Sequence, residues 1–270
     1  MPDWQQILRE CSKNVRANTL HLLQKPQHQK SYGTGAGGDT TFQIDRIAEN
    51  TIKHTIKHHG IDFTLISEEA GIEKIGRNPK WYVTIDPIDG TTNALRGMPF
   101  VATSIAVSEK PQFQSIAHAM VTDLHHDVTY TAQKGESAQK NNKKITPTKT
   151  NTLEDLTLGI EILLKTPQHI KAATAILRNT KHPRHFGANA LEICYVADGT
   201  TDGFIDLRDK LRVTDMAAAQ LILTEAGGII TTPDGKKMNL PLEPTQRTSF
   251  IAAANKTLHK KLKVLITQGA

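Results

Sequence analysis

The chain is organised around the segment Trp81-Tyr-Val-Thr-Ile-Asp-Pro-Ile-Asp-Gly-Thr-Thr-Asn93. Its first five residues are aromatic or β-branched, which predicts a buried strand. That strand delivers Asp86 and Asp89 into a turn containing proline and glycine, and residues 91–93 are of types that cap helices. Two carboxylates between a strand and a helix start form either a plain turn or a site that holds hard cations beside an anion. The segment alone leaves both interpretations open.

Length and composition are those of an ordinary globular protein. The 270 residues are 38% hydrophobic and 22% charged, enough for one large domain or two coupled domains. No apolar run reaches about 18 residues, so we expect no transmembrane helix. The polar N-terminus is unlike a signal peptide, and we expect a cytoplasmic protein. Cys11 and Cys194 lie in apolar helical patterns and are predicted to be buried side chains rather than a disulfide or metal pair.

The formal net charge of +6 favours anionic partners, which are nucleic acid, membrane surfaces or phosphorylated metabolites. The lysines are spread along the chain, and the one dense cluster, residues 140–144, is predicted to lie in a loop. Aromatic residues make up 5% of the chain, too few for a base-stacking surface. These features argue against nucleic acid, and we expect no membrane partner. Whether a phosphorylated metabolite is the partner stays open at this point.

The N-terminal half is predicted to contain two helices and a large antiparallel sheet. The first helix is capped by Asp3 and should end near Pro26. In the second helix Asp45 and Glu49 share a face, and Glu49 is expected on a solvated edge. The predicted strands are residues 63–67, 81–85, 101–107, 115–121 and 127–132, and residues 71–80 are expected to form a polar connection.

A glycine-rich segment and a pair of glutamates lie next to these strands. Glycines at 33, 35 and 38 formally match a dinucleotide-binding motif, but the polar segment before them is no buried strand, so a hairpin or loop is predicted. Glu68 and Glu69 follow the strand 63–67. Because neighbours on a strand point to opposite sides, at most one of them should face a site.

A shift towards Lys, Thr, Asn and Pro at residues 141–152 predicts a domain boundary. We divide the chain into an α+β half, 1–146, and an α/β half, 147–270. In the second half strands alternate with helices, which is typical of a layered α/β arrangement. A helix over 167–180 is expected to bury Ile170, Ala173, Ile176 and Leu177, and a helix over 214–226 ends at two glycines.

Four carboxylates are predicted at the ends of elements: Glu68, Asp86, Asp89 and Asp215. If they converge, they repel one another and raise their own pKa values. Divalent cations remove that conflict, and an all-oxygen set favours Mg²⁺ or Mn²⁺ over zinc.

Three motifs together resemble the inositol monophosphatase family. They are Asp86-Pro-Ile-Asp-Gly-Thr-Thr-Asn93, the preceding Ser67-Glu-Glu69, and the distant Thr214-Asp-Met-Ala-Ala218 with Glu225-Ala-Gly-Gly228. This family belongs to a superfamily of magnesium-dependent, lithium-sensitive phosphatases that includes fructose-1,6-bisphosphatases. The segments at 35–49 and 210–215 are most similar to the archaeal branch, which commonly shows both activities. The resemblance implies an αβαβα sandwich, a metal-dependent phosphomonoesterase and a homodimer.

The resemblance also implies roles for the metal ligands. Glu68 and Asp86 match ligands of the first metal site, with Asp86 bridging two metals and the Ile88 carbonyl completing that site. Asp89 and Asp215 match the ligands of the second site. The connection between Glu68 and Asp86 is short, which puts a third metal site and strong lithium sensitivity in question.

Roles in catalysis and substrate binding are implied in the same way. Thr91 and Asp45 match the pair that orients the attacking water, and the amides of Gly90, Thr91 and Thr92 match a phosphate cradle at a helix start. The substrate-facing positions are Ala188, Asn189, Asp206, Arg208, Lys210 and Arg212. The cations among them either meet a second phosphate or form a basic surface loop.

The expected substrate is fructose 1,6-bisphosphate, inositol 1-phosphate or both. A phosphatase acting on 3′-phosphoadenosine 5′-phosphate or NADP is the nearest alternative. A non-catalytic protein that binds RNA or transcription partners is an alternative from another class.

Overall fold

The computed structural model describes residues 2–25 and 30–269. In this part of the chain the α-helices are α1 Trp4–Leu23, α2 Gln43–His58, α3 Thr91–Arg96, α4 Pro167–Asn179, α5 Asn189–Ala197, α6 Val213–Ala226 and α7 Lys256–Gly269. The strands of the first half are β1 Ser31–Thr34, β2 Thr40–Phe42, β3 Phe63–Ser67, β4 Gly71–Ile75, β5 Trp81–Asp89, β6 Ala102–Ser108, β7 Ile116–Asp123, β8 Val128–Gln133, β9 Gln139–Lys140 and β10 Lys143–Lys144. Those of the second half are β11 Thr157–Glu161, β12 His182–Arg184, β13 Gly203–Arg212, β14 Ile229–Thr231 and β15 Arg247–Ala253.

The strands form two large sheets and one hairpin. The larger sheet has eight strands in the order β10-β9-β8-β7-β6-β5-β3-β4. Its pairings are antiparallel except for β3 with β5. The smaller sheet has five strands in the order β12-β11-β13-β15-β14, and β11 runs parallel to both of its neighbours. Strands β1 and β2 pair with each other as a separate antiparallel hairpin, as predicted for the glycine-rich segment.

Three apolar cores hold five layers together. In the first core, α1 and α2 pack on one face of the larger sheet, with Leu8, Ile52 and Ile85 fully buried among their neighbours. In the second, α5 and α6 lie between the two sheets. In the third, α4 and α7 cover the outer face of the smaller sheet. The αβαβα order implied by the resemblance is confirmed.

The first helix shows how local sequence sets its ends. The Asp3 side chain caps it by accepting a hydrogen bond from the Gln6 N–H at 3.0 Å. The helix ends at Leu23, and Pro26, where we expected it to stop, lies outside the described residues. Among the described residues, no helix combines the length and the apolar character needed to span a bilayer.

Two predictions about the outer parts of the fold were wrong. Residues 71–75 form the edge strand β4 rather than a loop, and its middle residues are exposed, which hides the alternation that marks a half-buried strand. In α4, Ile170 and Leu177 are 50% and 53% exposed, and the buried face consists of Ala172, Ala173 and Ile176. The division of the chain after residue 146 stays a prediction.

Candidate active site

The candidate site begins at the C-terminal end of β5. The pairing of β5 with β6 shifts register between Asp86 and Asp89. Pro87 lies inside this bulge, where its missing N–H removes no ladder hydrogen bond. We predicted a turn after residue 85, but the strand continues through the bulge to Asp89. Residues three apart on a regular strand point to opposite faces, so the bulge lets both aspartates reach one cavity of about 450 Å³.

Gly90 joins β5 to α3. Its φ is +89°, and an added Cβ would lie 3.0 Å from the Phe100 carbonyl oxygen, so the position requires glycine. The predicted side-chain caps at 91–93 are absent, and the Thr91 hydroxyl donates instead to the Ile88 carbonyl at 3.0 Å. Gly90, Thr91 and Thr92 all line the cavity, at a helix start whose first N–H groups have no intrahelical acceptors. Their role as a phosphate cradle stays a prediction.

Three buried carboxylates meet in this cavity. Glu68, Asp86 and Asp215 each place one oxygen within 4.8 Å of the other two. They are 4%, 2% and 6% exposed, and they come from the turn after β3, the bulge of β5 and the first turn of α6. We refer to them as the carboxylate cluster.

Asp89 lines the same cavity but is directed differently. Its carboxylate accepts three main-chain hydrogen bonds from the first turn of α5: from Asn189 at 2.9 Å, Ala190 at 2.7 Å and Leu191 at 3.4 Å. These amides stabilise a negative charge at a helix start. The contact also fixes β5 against an element of the C-terminal half.

The electrostatics of these acids fit a divalent cation. Burial raises the pKa of Asp86 and of Glu68 well above the ordinary values, neighbouring carboxylates raise both further, and Arg212 counters this only in part. Burial, followed by the charge of Asp215, raises the pKa of Asp89 to about 7. A hard cation would remove this repulsion, and oxygen ligands of this kind are those that Mg²⁺ and Mn²⁺ prefer. The residues present therefore suit such an ion.

Asp45, in the first turn of α2, is fully buried. Its Oδ2 accepts a hydrogen bond from the Phe42 N–H at 2.6 Å, whereas its Oδ1 has no hydrogen-bond partner among the described residues. Burial raises the pKa of Asp45 to about 7. Thr91 lines the cavity whereas Asp45 is not among its lining residues, and no hydrogen bond joins the two in the described part of the chain. Their joint role in orienting a water stays a prediction.

The turn after β3 differs from our expectation. The strand ends at Ser67 and residues 68–70 form a turn, so strand alternation does not apply, and both Glu68 and Glu69 line the cavity. Glu49 was predicted on a solvated edge but is 6% exposed. It accepts hydrogen bonds from the Ser67 hydroxyl and the Ala70 N–H and pairs with a lysine of α2. Glu49 therefore supports the turn that presents Glu68.

The predicted substrate-facing residues differ in their position relative to the cavity. Asn189 and Arg212 line it, whereas Ala188 is buried with its Cβ close to Gly90. Lys210 is exposed and does not line the cavity. The roles of Ala188 and Lys210 as substrate contacts stay predictions.

Asp206 and Arg208 are engaged with each other beside the cavity. Asp206 is fully buried, and the Arg208 guanidinium donates to it at 2.6 Å through Nη2. The same guanidinium pairs with Glu161 at 2.8 Å and donates to the Asn189 side chain at 3.3 Å. Neither residue lines the cavity, and their contact with substrate stays a prediction. Through Arg208 the pair contacts Asn189, which does line the cavity.

Sequence reasoning missed four residues that line the cavity: Asp39, Thr40, Phe42 and Leu95. Asp39 follows the glycine-rich segment directly, which was the one available signal for the first three. A larger groove of about 910 Å³ between α4 and α7 has Glu154 as its single carboxylate among the described residues. The smaller cavity therefore carries the chemistry.

Comparisons with known proteins agree with this site and fold. Residues 5–268 match the model of the inositol monophosphatase family. A fructose-1,6-bisphosphatase/inositol-1-monophosphatase of Methanothermobacter thermautotrophicus is 36% identical over 96% of this chain and 95% of its own. A bifunctional NADP phosphatase/NAD kinase of Methanococcus maripaludis is 34% identical over 96% of this chain, which spans 48% of that longer protein.

A solved structure supports the same assignment. The crystal structure of an inositol monophosphatase–fructose 1,6-bisphosphatase superimposes over 100% of both chains, with a TM-score of 0.86 and 28% identity. The family match, the shared five-layer fold and the carboxylate cluster at the end of β5 all lead to one assignment. This chain belongs to the inositol monophosphatase family.

Proposed function

We propose that the protein is a Mg²⁺-dependent phosphomonoesterase that hydrolyses a small sugar or inositol phosphate, with Mn²⁺ as a possible substitute. The observation that carries the proposal is the buried cluster of Glu68, Asp86 and Asp215 in one cavity with the start of α3. The relatives named as fructose-1,6-bisphosphatase/inositol-1-monophosphatase support fructose 1,6-bisphosphate and inositol 1-phosphate as substrates.

Each part of the cavity has a task in this proposal. Bound cations supply charge neutralisation and activation of water, which phosphate esters need because they hydrolyse very slowly unaided. Glu68, Asp86 and Asp215 hold the cations, and the Ile88 carbonyl and Asp89 complete the set. The start of α3 binds the phosphate through main-chain N–H groups. Asn189 also lines the cavity, and its side chain orients the alcohol part of the substrate.

Thr91 and Asp45 are proposed to position the attacking water. The Thr91 hydroxyl already donates to the Ile88 carbonyl, so its lone pairs are free to accept from water. Asp45 contributes a buried oxygen without a partner among the described residues. Positioning of this kind accounts for a large part of the barrier reduction in phosphoryl transfer.

Replacing Asp86 by asparagine tests the proposal. Asp86→Asn keeps the side chain's shape but removes a charge from the cluster, and we expect phosphate release with saturating Mg²⁺ to fall at least about 100-fold. Because the lost charge repels Glu68 and Asp215, the variant should unfold in EDTA at the same temperature as the wild type or higher. Asp155→Asn, at a side chain 74% exposed, is the matched control and should keep full activity. Near wild-type turnover by Asp86→Asn would overturn the assignment.

A substrate panel separates the alternatives. Phosphate release is measured with fructose 1,6-bisphosphate, inositol 1-phosphate, 3′-phosphoadenosine 5′-phosphate and NADP. Preference for NADP would favour the activity of the bifunctional relative. No turnover on any of them, together with tight RNA binding at physiological salt, would favour the non-catalytic alternative.

A further inference from the structure

One guanidinium joins three carboxylates that are distant in sequence. Arg212 Nε lies 3.1 Å from Asp215 Oδ1, while Nη2 pairs with Glu68 and Nη1 with Asp39. The Arg212 main-chain N–H also donates to Asp215, at 3.3 Å. A planar fork with donors in three directions suits such a contact, and a lysine ammonium cannot reproduce it.

The three partners differ in exposure. The Arg212 side chain is 14% exposed and the Asp39 side chain 79% exposed, whereas Glu68 and Asp215 belong to the buried cluster. Burial opposes the charged guanidinium, but Asp215, Glu68 and Asp86 raise its pKa above the ordinary value, so it stays charged. An isolated pair with an exposed aspartate is weak. Here Glu68 and Asp215, which are buried, already hold the Arg212 guanidinium in place. Asp39 therefore pairs with a guanidinium that is already ordered.

Asp39 lies between β1 and β2, and this hairpin (residues 31–42) rests on the turn that carries Glu68. The Ala36 N–H donates to the Glu69 carbonyl at 3.1 Å, and the Gly37 N–H donates to the Glu68 carbonyl. A Cβ added to Gly37 would lie 3.0 Å from Glu68 Cβ and 3.2 Å from Arg212 Cδ. The hairpin and the cluster are therefore in direct contact at this point.

A second arginine holds the hairpin in a different way. Arg247, at the start of β15, donates to the Gly37 carbonyl and, at 2.9 Å, to the Pro244 carbonyl. It forms no ion pair with a carboxylate among the described residues. Arg247 therefore anchors the hairpin without contacting the cluster, which makes it a natural comparison for Arg212.

We propose that Arg212 is a positioning residue that couples the 31–42 hairpin to the cation-binding carboxylates. The inference rests on the proposed function, because it treats Glu68 and Asp215 as ligands. The Arg212 guanidinium contacts one oxygen of Glu68 and Oδ1 of Asp215, and the Arg212 main-chain N–H contacts Oδ2 of Asp215, so Arg212 fixes the orientation of both carboxylates. When Asp39 pairs with Arg212, the hairpin and the two carboxylates are ordered together. Because the same carboxylate orientations serve cation binding and the contact with the hairpin, we expect bound cations to stabilise the hairpin as well, and linkage makes this coupling reciprocal.

The test measures amide hydrogen exchange of residues 31–42 in the full chain, with and without Mg²⁺, and Mg²⁺ affinity by calorimetry, without any substrate. In the wild type we expect saturating Mg²⁺ to slow exchange of the Ala36 and Gly37 amides at least tenfold. Arg212→Gln and Asp39→Asn should lose that response, and Arg212→Gln should weaken Mg²⁺ binding about tenfold as well. Arg212→Lys should restore neither property, because the fork is missing.

Arg247→Gln is the matched control: it should speed exchange of the hairpin equally with and without Mg²⁺ and leave Mg²⁺ affinity unchanged. A Mg²⁺ response in Arg212→Gln equal to that of the wild type would overturn the inference. If Arg212→Gln fails to fold, the exposed Asp39→Asn variant decides the question alone, and a retained response there overturns it. Mg²⁺ binding to the wild type without any change in hairpin exchange would overturn the inference but leave the proposed function standing. A change in hairpin exchange on Mg²⁺ binding, without phosphate release from any substrate, would overturn the proposed function but leave the coupling standing.

Discussion

Glu192 in α5 has two carboxylate oxygens in different surroundings. Oε1 accepts the Gly187 N–H at 3.0 Å, whereas Oε2 is buried without a partner among the described residues and would lie 2.7 Å from a Cβ added to Gly159. Burial, then the charges of Glu161 and Asp89, raises the pKa of Glu192 to about 8. The side chain is 2% exposed, so water screens it little. It is therefore largely protonated at neutral pH.

This raised pKa predicts a pH dependence of stability. A glutamate in the unfolded chain titrates near 4.3, so between that pH and 8 the folded state binds more protons than the unfolded state. The contribution of Glu192 to the free energy of unfolding is complete below the unfolded pKa. It is lost as pH rises towards 8, by up to about 1.4 kcal/mol per pH unit. Glu192→Gln removes this slope, since glutamine does not titrate.

The measurement is the free energy of unfolding in urea at pH 5.5, 6.5 and 7.5, for wild type and Glu192→Gln in the same EDTA buffer. Carboxylates that do not interact with Glu192 are common to both proteins and cancel in the difference. Glu161 and Asp89 interact with it, so the difference reports Glu192 together with its effect on these two neighbours. The wild type should lose stability relative to the variant as pH rises. Parallel pH profiles would show that Glu192 is charged in the folded protein.

At the scale of elements, α3 is tied to the segment before α5 by one side chain. Asn93 Nδ2 donates to the Phe100 carbonyl at 2.9 Å and to the Phe186 carbonyl at 2.7 Å. The rings of Phe100 and Phe186 stack beside it with centroids 4.8 Å apart. Asn93 is 5% exposed. This contact holds the Gly90 side of the cavity against the Gly187 side.

Asn93→Ala leaves two carbonyls without their donor, so we expect a loss of about 2 kcal/mol or more in the free energy of unfolding. The wall that carries Asn189 should also loosen, which raises KM more than it lowers kcat. Urea unfolding and steady-state kinetics measure these effects. Asn179→Ala, which removes an exposed amide from the last turn of α4, should cost less than about 0.5 kcal/mol. Equal losses in the two variants would refute a role for Asn93 in joining the elements.

Elements marked by a clear pattern of apolar residues or by a terminating glycine in the sequence were predictable. The segment 63–67 is continuous and apolar and was predicted with the right bounds, and α6 ends at Gly227, whose φ is +102°. Edge strands such as β4 and β12 were missed because exposed strands carry no apolar alternation. The buried face of α4 was misassigned because alanines, which are small, cover the smaller sheet there in place of Ile170 and Leu177.

The candidate site was likewise predictable in part. The aspartates of β5 were visible as a local motif, Glu68 and Asp215 were singled out as carboxylates at the ends of elements, and the family resemblance supplied their roles as ligands. The contact partners of Arg212 were not predictable, because Asp39 lies 173 residues away in sequence. Nothing local distinguishes an arginine that meets phosphate from one that meets carboxylates. Only the three-dimensional packing of the hairpin on the turn after β3 decides between them.

At the scale of the whole molecule, the net charge is concentrated in one layer. Helices α4 and α7 contain six Lys and Arg and no Asp or Glu, and the remaining 27 basic residues equal the 27 acidic residues of the chain. The lysines are therefore less evenly distributed in space than in sequence. The groove between these helices carries Arg178, Lys181, Lys260 and Lys261, so this flank of α4 repels a second basic copy.

The other flank of α4 is mostly apolar. A groove of about 300 Å³ there is lined by Arg184 and His185 and by six apolar residues, Ile160, Ile162, Leu164, Ala173, Leu177 and Pro183. Leu164 and Leu177 are 63% and 53% exposed. Strand β12 borders it as an edge strand, bonded only to β11 within the described sheet. An aliphatic groove beside an open sheet edge is a surface that natural proteins usually cover.

We propose that a second copy of the chain covers this groove and so forms the homodimer that the family resemblance implies. A two-fold arrangement places the same patch on both sides of the interface and needs no other partner. The apolar flank is the one that permits close approach, because α4 lines it with Ala173 and Leu177, whereas it lines the basic groove with Arg178 and Asn179.

Light scattering after size exclusion tests this arrangement. The wild type should have twice the chain mass of 29.8 kDa at micromolar concentration. Leu177→Glu places a charge in the interface and should shift the protein to the single-chain mass, since an unpaired buried charge opposes association strongly. Ile72→Glu, at a residue of β4 that is 60% exposed in the other half, makes the same change away from the groove and should leave the mass unchanged. A wild type that stays at the single-chain mass, or a dimer that dissociates in Ile72→Glu but persists in Leu177→Glu, would remove this groove as the interface.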